Sequence, residues 1–202
     1  MGLTVYGQSG SRAIRALWMA EELGVDFEHV PTRFADQSKE ADYLKVNPNG
    51  RVPTVDDDGF IVWESMAVNL YLAKKYGGEL GPKDLQEDAT ATQWSFWVMT
   101  EIEKSLLQAL FLTLGLFGQE KDPEGAAAAL AELDRPLAVL EAELEDKDYL
   151  MGGRFTVADL NVASVMTFTR MVGEDLSKWP KVQAWFGRCT AREALARAQA
   201  RS

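Results

Sequence analysis

Strand signals fade after about position 88 and do not return, and this change of grammar constrains the fold more than any other feature. Before it, short β-type runs alternate with helical ones. "LTVYG" (3–7) reads as a strand ending in glycine. "SRAIRALWMAEELG" (11–24) reads as a helix, with Ile14, Leu17 and Trp18 on one apolar face and Gly24 as its terminator. "FEHV" (27–30) is a second strand, and "KEADYLKV" (39–46) a short helix or turn. "VPTV" (52–55) and "FIVW" (60–63) are strands joined by Asp56-Asp57-Asp58-Gly59, an Asp-Gly hairpin signal. "SMAVNLYLAKKYGG" (65–78) is a helix stopped by its glycine pair. The order β-α-β then β-β-α predicts two parallel strands joined by a crossover helix, with a hairpin closing the sheet.

From Asp88 onward the patterns are helical. They cover 89–115, 123–146, 156–172 and 180–200, with Pro123 suited to a first turn and Pro136 expected to kink or break its run. The fold class that follows is an α/β unit with an all-α bundle. Its expected parts are an α/β domain over 1–80, a linker over 81–88 and a helical domain over 89–202.

Composition narrows the function. No run of apolar residues approaches the ~18 needed to span a bilayer, and the N-terminus lacks the basic and apolar regions of a signal peptide. A cytoplasmic protein is expected. The single cysteine, Cys189, excludes an internal disulfide, and with one histidine, His29, it argues against a zinc or iron–sulfur site. Cys189 reads as inert and His29 as structural. A net charge of -10 disfavours nucleic acid as a partner but allows a small anion held by local donors.

Two short pairs carry the chemistry. Pro53 has no N–H and cannot fill a central ladder position, so Val52-Pro53 belongs at an edge. An ordinary trans bond and a cis bond are both open on spacing alone. The cis form would free the Val52 N–H and C=O to pair with an extended peptide, as in strand addition. Glu64 and Ser65 fall where a strand gives way to a helix. Ser65 suits an N-cap, and a helix N-terminus can hold a carboxylate while Glu64 holds an ammonium. Together they describe a receptor for an amino-acid head group. A plain helix cap with an acidic neighbour is the other reading.

Over essentially its whole length the chain resembles the glutathione S-transferase family. The match rests on "SRAIRALWMAEELG", "NPNGRVPTV" (47–55), "WESMAVNLYLAKKYG" (63–77) and "FTVADLNVA" (155–163), in that order. The resemblance implies a thioredoxin-like first half and glutathione as co-substrate, with no metal. It implies a cis Val52–Pro53 bond, with Val52 pairing the cysteinyl unit. It further implies Glu64 and Ser65 on the γ-glutamyl head group, Arg51 near the glycyl end, and a two-fold homodimer. Thr156 and Asp159 are spaced as a capping box with Phe155 as staple, so Asp159 is a stability residue.

The family places its thiolate-stabilising donor between the first strand and first helix, here "YGQSGSR". A thiol of pKa ~8.5 is only a few per cent ionised at neutral pH, and a hydroxyl near a helix N-terminus lowers that value. Ser11 is the first candidate and Ser9 the second; Tyr6 sits inside the strand and reads as structural. No cysteine lies in the turn, which disfavours thiol exchange. A hydrophobic electrophile is expected between the halves, against Trp94, Trp97, Thr100 and Glu101, with Phe111 or Phe117 further along. Arg12, Arg15, Glu101 and Glu103 are further candidates for a subunit contact or a glutathione carboxylate. The expected activity is conjugation of glutathione. The rivals are another glutathione-dependent activity (peroxidase, dehalogenase, isomerase) and a non-enzymatic protein on the same fold.

Overall fold

The computed structural model describes residues 2–118 and 120–201. The chain forms two compact units. One contains the described residues up to Asp84 together with those from Ala191 onward; the other is Leu85–Thr190.

The first unit is built on a sheet of β1 (Leu3–Tyr6), β2 (Phe27–Val30), β3 (Thr54–Asp57) and β4 (Phe60–Trp63). The strand order is β2-β1-β3-β4, with β1 and β2 parallel and the remaining pairs antiparallel. The crossover is α1 (Ile14–Leu23), and α2 (Ala41–Val46) lies between β2 and β3. Val5 and Val55 face each other across the ladder, both fully buried. The hairpin between β3 and β4 turns on Asp58 and Gly59, at φ 54° and 91°. Positive φ at both central residues is the tight-hairpin geometry that Asp-Gly favours. The Gly59 N–H donates to Asp56 Oδ1 at 2.7 Å.

The helix after β4 is α3 (Ser65–Tyr76), packed on α1. Asp57, almost wholly buried at the end of β3, ties the sheet to the last turn of α3. It accepts from Tyr71 Oη (2.7 Å), Lys75 Nζ (2.6 Å) and Tyr76 Oη (2.8 Å).

In the second unit the first helical segment, α4 (Leu85–Trp97), starts inside the expected linker. The run expected as one long helix over 89–115 is helical through to Leu114, with a π-helical stretch, Val98–Ile102, between α4 and α5 (Glu103–Leu114). Neither proline nor glycine marks this stretch. The run over 123–146 divides into α6 (Pro123–Ala131) and α7 (Asp134–Glu143). Pro123 opens α6 behind an Asp122 cap that accepts the Gly125 N–H at 2.9 Å, and Pro136 lies in the first turn of α7, where a missing N–H costs little.

The centre of this unit is α8 (Val157–Val172), which packs against α4, α5 and α9 (Pro180–Thr190). Asp159 is fully buried. Its Oδ2 accepts from the Thr156 N–H (2.9 Å) and hydroxyl (3.0 Å), and its Oδ1 from the Leu150 N–H (2.8 Å) and Trp185 Nε1 (2.9 Å). The capping box is present, and Asp159 serves structure.

The helix expected over 180–200 is two helices, and the second, α10 (Glu193–Ala200), packs on α1 of the first unit. Arg192 grips Glu22 with two 2.7 Å bonds, Arg197 donates to Glu21 at 2.8 Å, and the Arg201 guanidinium stacks 4.1 Å from the Phe27 ring centroid. Among the described residues no helix is long and apolar enough to cross a membrane.

Candidate functional site

The candidate site lies at the end of the sheet where β1 runs out. Gly7 follows β1 at φ +127°, and a Cβ there would stand 2.4 Å from Ala13 Cβ and 3.0 Å from Val52 Cβ. Only glycine allows the start of the turn, the approach to α1 and the segment before β3 to meet so closely. Ala13, Tyr43 and Val52 form one small buried cluster, with Tyr6 packed against it. His29 Nε2 lies 2.8 Å from the Gly7 carbonyl and donates to it, since a carbonyl only accepts. The Gly7 N–H donates to Val30 O at 2.9 Å. His29 is therefore structural, as the sequence suggests.

The turn itself is tight. The Ser11 N–H and Ser11 hydroxyl both donate to the Gln8 carbonyl, at 3.1 and 2.7 Å, and Ser11 Oγ accepts the Ala13 N–H at 3.1 Å. Regular helix begins only at Ile14, three residues later than expected, because this turn occupies the approach. Ser9 is half-buried, and its hydroxyl has no hydrogen bond within the described residues. Tyr6 is stacked edge-on to Tyr43 at 5.9 Å. Burial, reinforced by Asp56 and Glu28, raises its phenol above the usual value, which suits a structural tyrosine.

The Val52–Pro53 bond is cis. The residues on either side of Val52 are pinned. Asn47 Nδ2 and Tyr43 Oη each donate to the Arg51 carbonyl at 2.8 Å, and each lies within 3.0 Å of Thr54 Oγ1. Between these anchors no hydrogen bond to the Val52 main chain is found among the described residues. The ladder begins at Thr54 rather than Val52, and β3 is an inner strand paired with both β1 and β4; Pro53 is tolerated because it precedes the ladder, not because it lies on an edge strand as expected. Two cations stand beside this segment: the exposed Arg51, and Lys39, whose ammonium donates to the Gly50 carbonyl. Lys39 carries no motif in the sequence; only folding brings it to Gly50.

At the start of α3, Glu64 sits at φ 70°, ψ 115°, unusual for a residue with a side chain. It occupies the N-cap position, so Ser65 is the first helical residue and not the cap expected from the sequence. The Glu64 side chain is exposed. Ser65 is 6% exposed, and its Oγ accepts from Arg15 Nη1 at 3.2 Å. Arg15, on α1, is 1% exposed. Its guanidinium lies inside the unit, behind Ser65. Fifty positions separate the two residues, and no spacing rule links them.

A shallow cavity of about 630 Å³ opens at the opposite end of the sheet, lined in part by Asp26, Glu28, Asp56 and Asp58. Four carboxylates make it a poor host for a ligand bearing carboxylates.

In the second unit Trp94 is 4% exposed and packs edge-on against half-buried Trp97, with ring centroids 4.8 Å apart. Thr100 and Glu101 lie in the π-helical stretch and are exposed; the Thr100 hydroxyl bonds the Trp97 carbonyl at 3.3 Å and Glu101 Oε1 at 3.4 Å. Phe111 and Phe117 pair at 5.0 Å. Cys189 is buried.

The chain thus joins a four-stranded sheet unit, with a cis Val52–Pro53 bond before β3, to a helical unit, an architecture shared with glutathione S-transferases. Residues 1–74 match the family profile "Glutathione S-transferase, N-terminal domain" and residues 90–193 the profile "Glutathione S-transferase, C-terminal domain". Glutathione S-transferase theta-1 of Mus musculus is 35% identical over 95% of this chain and 83% of its own length. Glutathione S-transferase GstB of Escherichia coli (strain K12) is 30% identical over 96% of this chain and 95% of its own. The theta class glutathione S-transferase from the citrus canker pathogen Xanthomonas axonopodis pv. citri, solved with glutathione bound, superimposes with a TM-score of 0.89. It is 30% identical, and the match covers 100% of this chain and 98% of that one. The chain belongs to the glutathione S-transferase family.

Proposed function

We propose that this protein is a glutathione transferase that conjugates the glutathione thiolate to a small hydrophobic electrophile. The observation that carries this reading is the pairing of a main-chain segment at Val52, unengaged between two anchored neighbours, with Glu64-Ser65 at the start of α3. The cysteinyl unit lies along Val52 as an added strand. The γ-glutamyl ammonium meets Glu64, and its carboxylate meets the Ser65 hydroxyl and the first N–H groups of α3. Arg51, with Lys39 beside it, supplies charge for the glycyl carboxylate. Ser11 donates to the sulfur, with Ser9 as the alternative donor.

The reaction is direct attack of sulfur on the electrophile, promoted by proximity and by stabilisation of the thiolate, with no covalent enzyme intermediate. Trp97 and Glu101 are the second-substrate contacts, with Trp94 supporting Trp97 from behind. We place the enzyme in the cytoplasm as a homodimer; exposed Phe60, Ile61 and Trp63 on the edge strand β4 support a second copy as the partner.

Calorimetric titration with glutathione, joined to an ultraviolet pH series that reports thiolate, tests the reading. Binding with a thiol pKa well below the free value of ~8.5 is expected. Absence of binding at millimolar glutathione overturns it.

A further inference from the structure

We propose that Arg15 is a positioning residue for the carboxylate of the γ-glutamyl head group, acting through Ser65. The inference rests on the functional reading above and deepens it. Arg15 Nη1 donates to Ser65 Oγ at 3.2 Å, and the guanidinium is 1% exposed. A guanidinium has donors only, so in this contact the Ser65 oxygen must accept. Its single proton is then directed away from Arg15. No acceptor for that proton is found among the described residues. The hydroxyl at the first position of α3 is thus turned by its buried neighbour into a donor awaiting an acceptor.

Charge acts in the same direction. Arginine stays protonated when buried. Its positive charge lies behind a helix N-terminus that already attracts anions. Screening by water is weak at such a site. A carboxylate there gains both an oriented hydroxyl and a nearby cation, while the ammonium on the same carbon is left to exposed Glu64. The contact therefore predicts selectivity for one charge of the head group and not for glutathione as a whole.

The test compares two ligands by calorimetry: glutathione, and 4-aminobutyryl-cysteinylglycine, which keeps the ammonium and the thiol but lacks that carboxylate. In Arg15→Gln, glutathione affinity is expected to fall on the order of ten- to hundredfold, the effect of losing a charge-assisted hydrogen bond. Affinity for the analogue is expected to change by less than about threefold, since it makes no such bond. KM for glutathione rises while kcat stays near the wild-type value, and Arg15→Lys, which restores the charge, recovers part of the loss.

Equal losses for both ligands in folded Arg15→Gln overturn the proposal, as does unchanged glutathione affinity. Ser65→Ala leaves Arg15 in place and guards against a variant that fails to fold. It must show the same selective loss, and full retention of the preference for glutathione over the analogue overturns the proposal. Failure of the wild-type protein to bind either ligand overturns the functional reading itself, and this inference with it.

Discussion

At the scale of single residues, the central choice is between two serines two positions apart. Ser11 Oγ is held by the Ala13 N–H and gives its proton to the Gln8 carbonyl. Turning that proton toward a thiolate exchanges a neutral hydrogen bond for a charge-assisted one, a net gain. Ser9 has no such anchor, so binding sulfur would have to fix its rotamer as well. Ser11→Ala is therefore expected to raise the pKa of bound thiol toward ~8.5 and to lower kcat/KM at neutral pH on the order of a hundredfold. Ser9→Ala is expected to change kcat/KM by less than about threefold, as for a side chain outside the machinery. A pH–rate series with a chromogenic electrophile on both variants checks this, and the reversed order would transfer the role to Ser9. Glu64 makes a separate prediction. Glu64→Gln removes the charge opposite the ammonium and should raise KM for glutathione about tenfold, with thermal stability within ~0.5 kcal/mol of wild type because the side chain is exposed.

At the scale of elements, the tie between β3 and α3 makes a pH-dependent prediction. Burial pushes the Asp57 carboxyl up, but the Lys75 ammonium and the Tyr71 and Tyr76 hydroxyls outweigh it and hold its pKa below the usual value. A depressed folded pKa means stability that is present above the unfolded pKa of ~3.9 and lost as pH falls through the folded value. Asp57→Asn should cost about 2 kcal/mol at neutral pH, allowing for the partial exposure of Lys75. The gap between wild type and variant should narrow below about pH 4. Denaturant titrations at several pH values measure it, and a gap independent of pH would refute the assignment. In the helical unit, Asp159→Ala leaves Trp185 Nε1 and the Leu150 N–H without their buried acceptor and should cost ~3 kcal/mol or more. Glutathione affinity of the folded protein should stay the same, which separates a structural from a catalytic aspartate.

These elements also mark what the sequence reveals. The hairpin is legible because Asp58-Gly59 supplies the two positive φ values its turn needs. The capping box is legible because Thr156 and Asp159 act over three positions. The π-helical stretch at Val98–Ile102 is not, since it spoils neither the apolar period nor the propensities. The contact of Arg15 with Ser65 and that of Lys39 with Gly50 depend on tertiary closure, which no local period encodes. Strand β3 starts two residues later than composition suggests, because Val52 and Pro53 look like strand while the ladder starts at Thr54.

At the scale of the whole molecule, a net charge of -10 opposes anions at long range, yet the candidate site concentrates Arg15, Arg51 and Lys39 in one unit. Salt screens the distant charges more than the buried one, so moderate salt should weaken glutathione binding by no more than about threefold. Calorimetry at two ionic strengths checks this. The other large-scale feature is α10, which follows the helical unit in sequence but packs on α1. A chain ending at Thr190 loses the buried Ala194, Leu195 and Ala198 and the arginine contacts to Glu21 and Glu22. It should destabilise the first unit by about 3–5 kcal/mol. Hydrogen exchange should show α1 losing protection while α8 keeps it, and unchanged α1 protection would contradict the packing.

That same arrangement bears on how the protein is made. A ribosome releases the sheet, α1 and α3 first, then the whole helical unit, and only afterwards the helix that completes the first. During that interval the apolar face of α1 has no α10 to cover it, and the glutathione-binding part waits on translation of a different part. Stalling late in synthesis should therefore leave nascent chains whose helical unit resists protease while their earlier-made half is still cut.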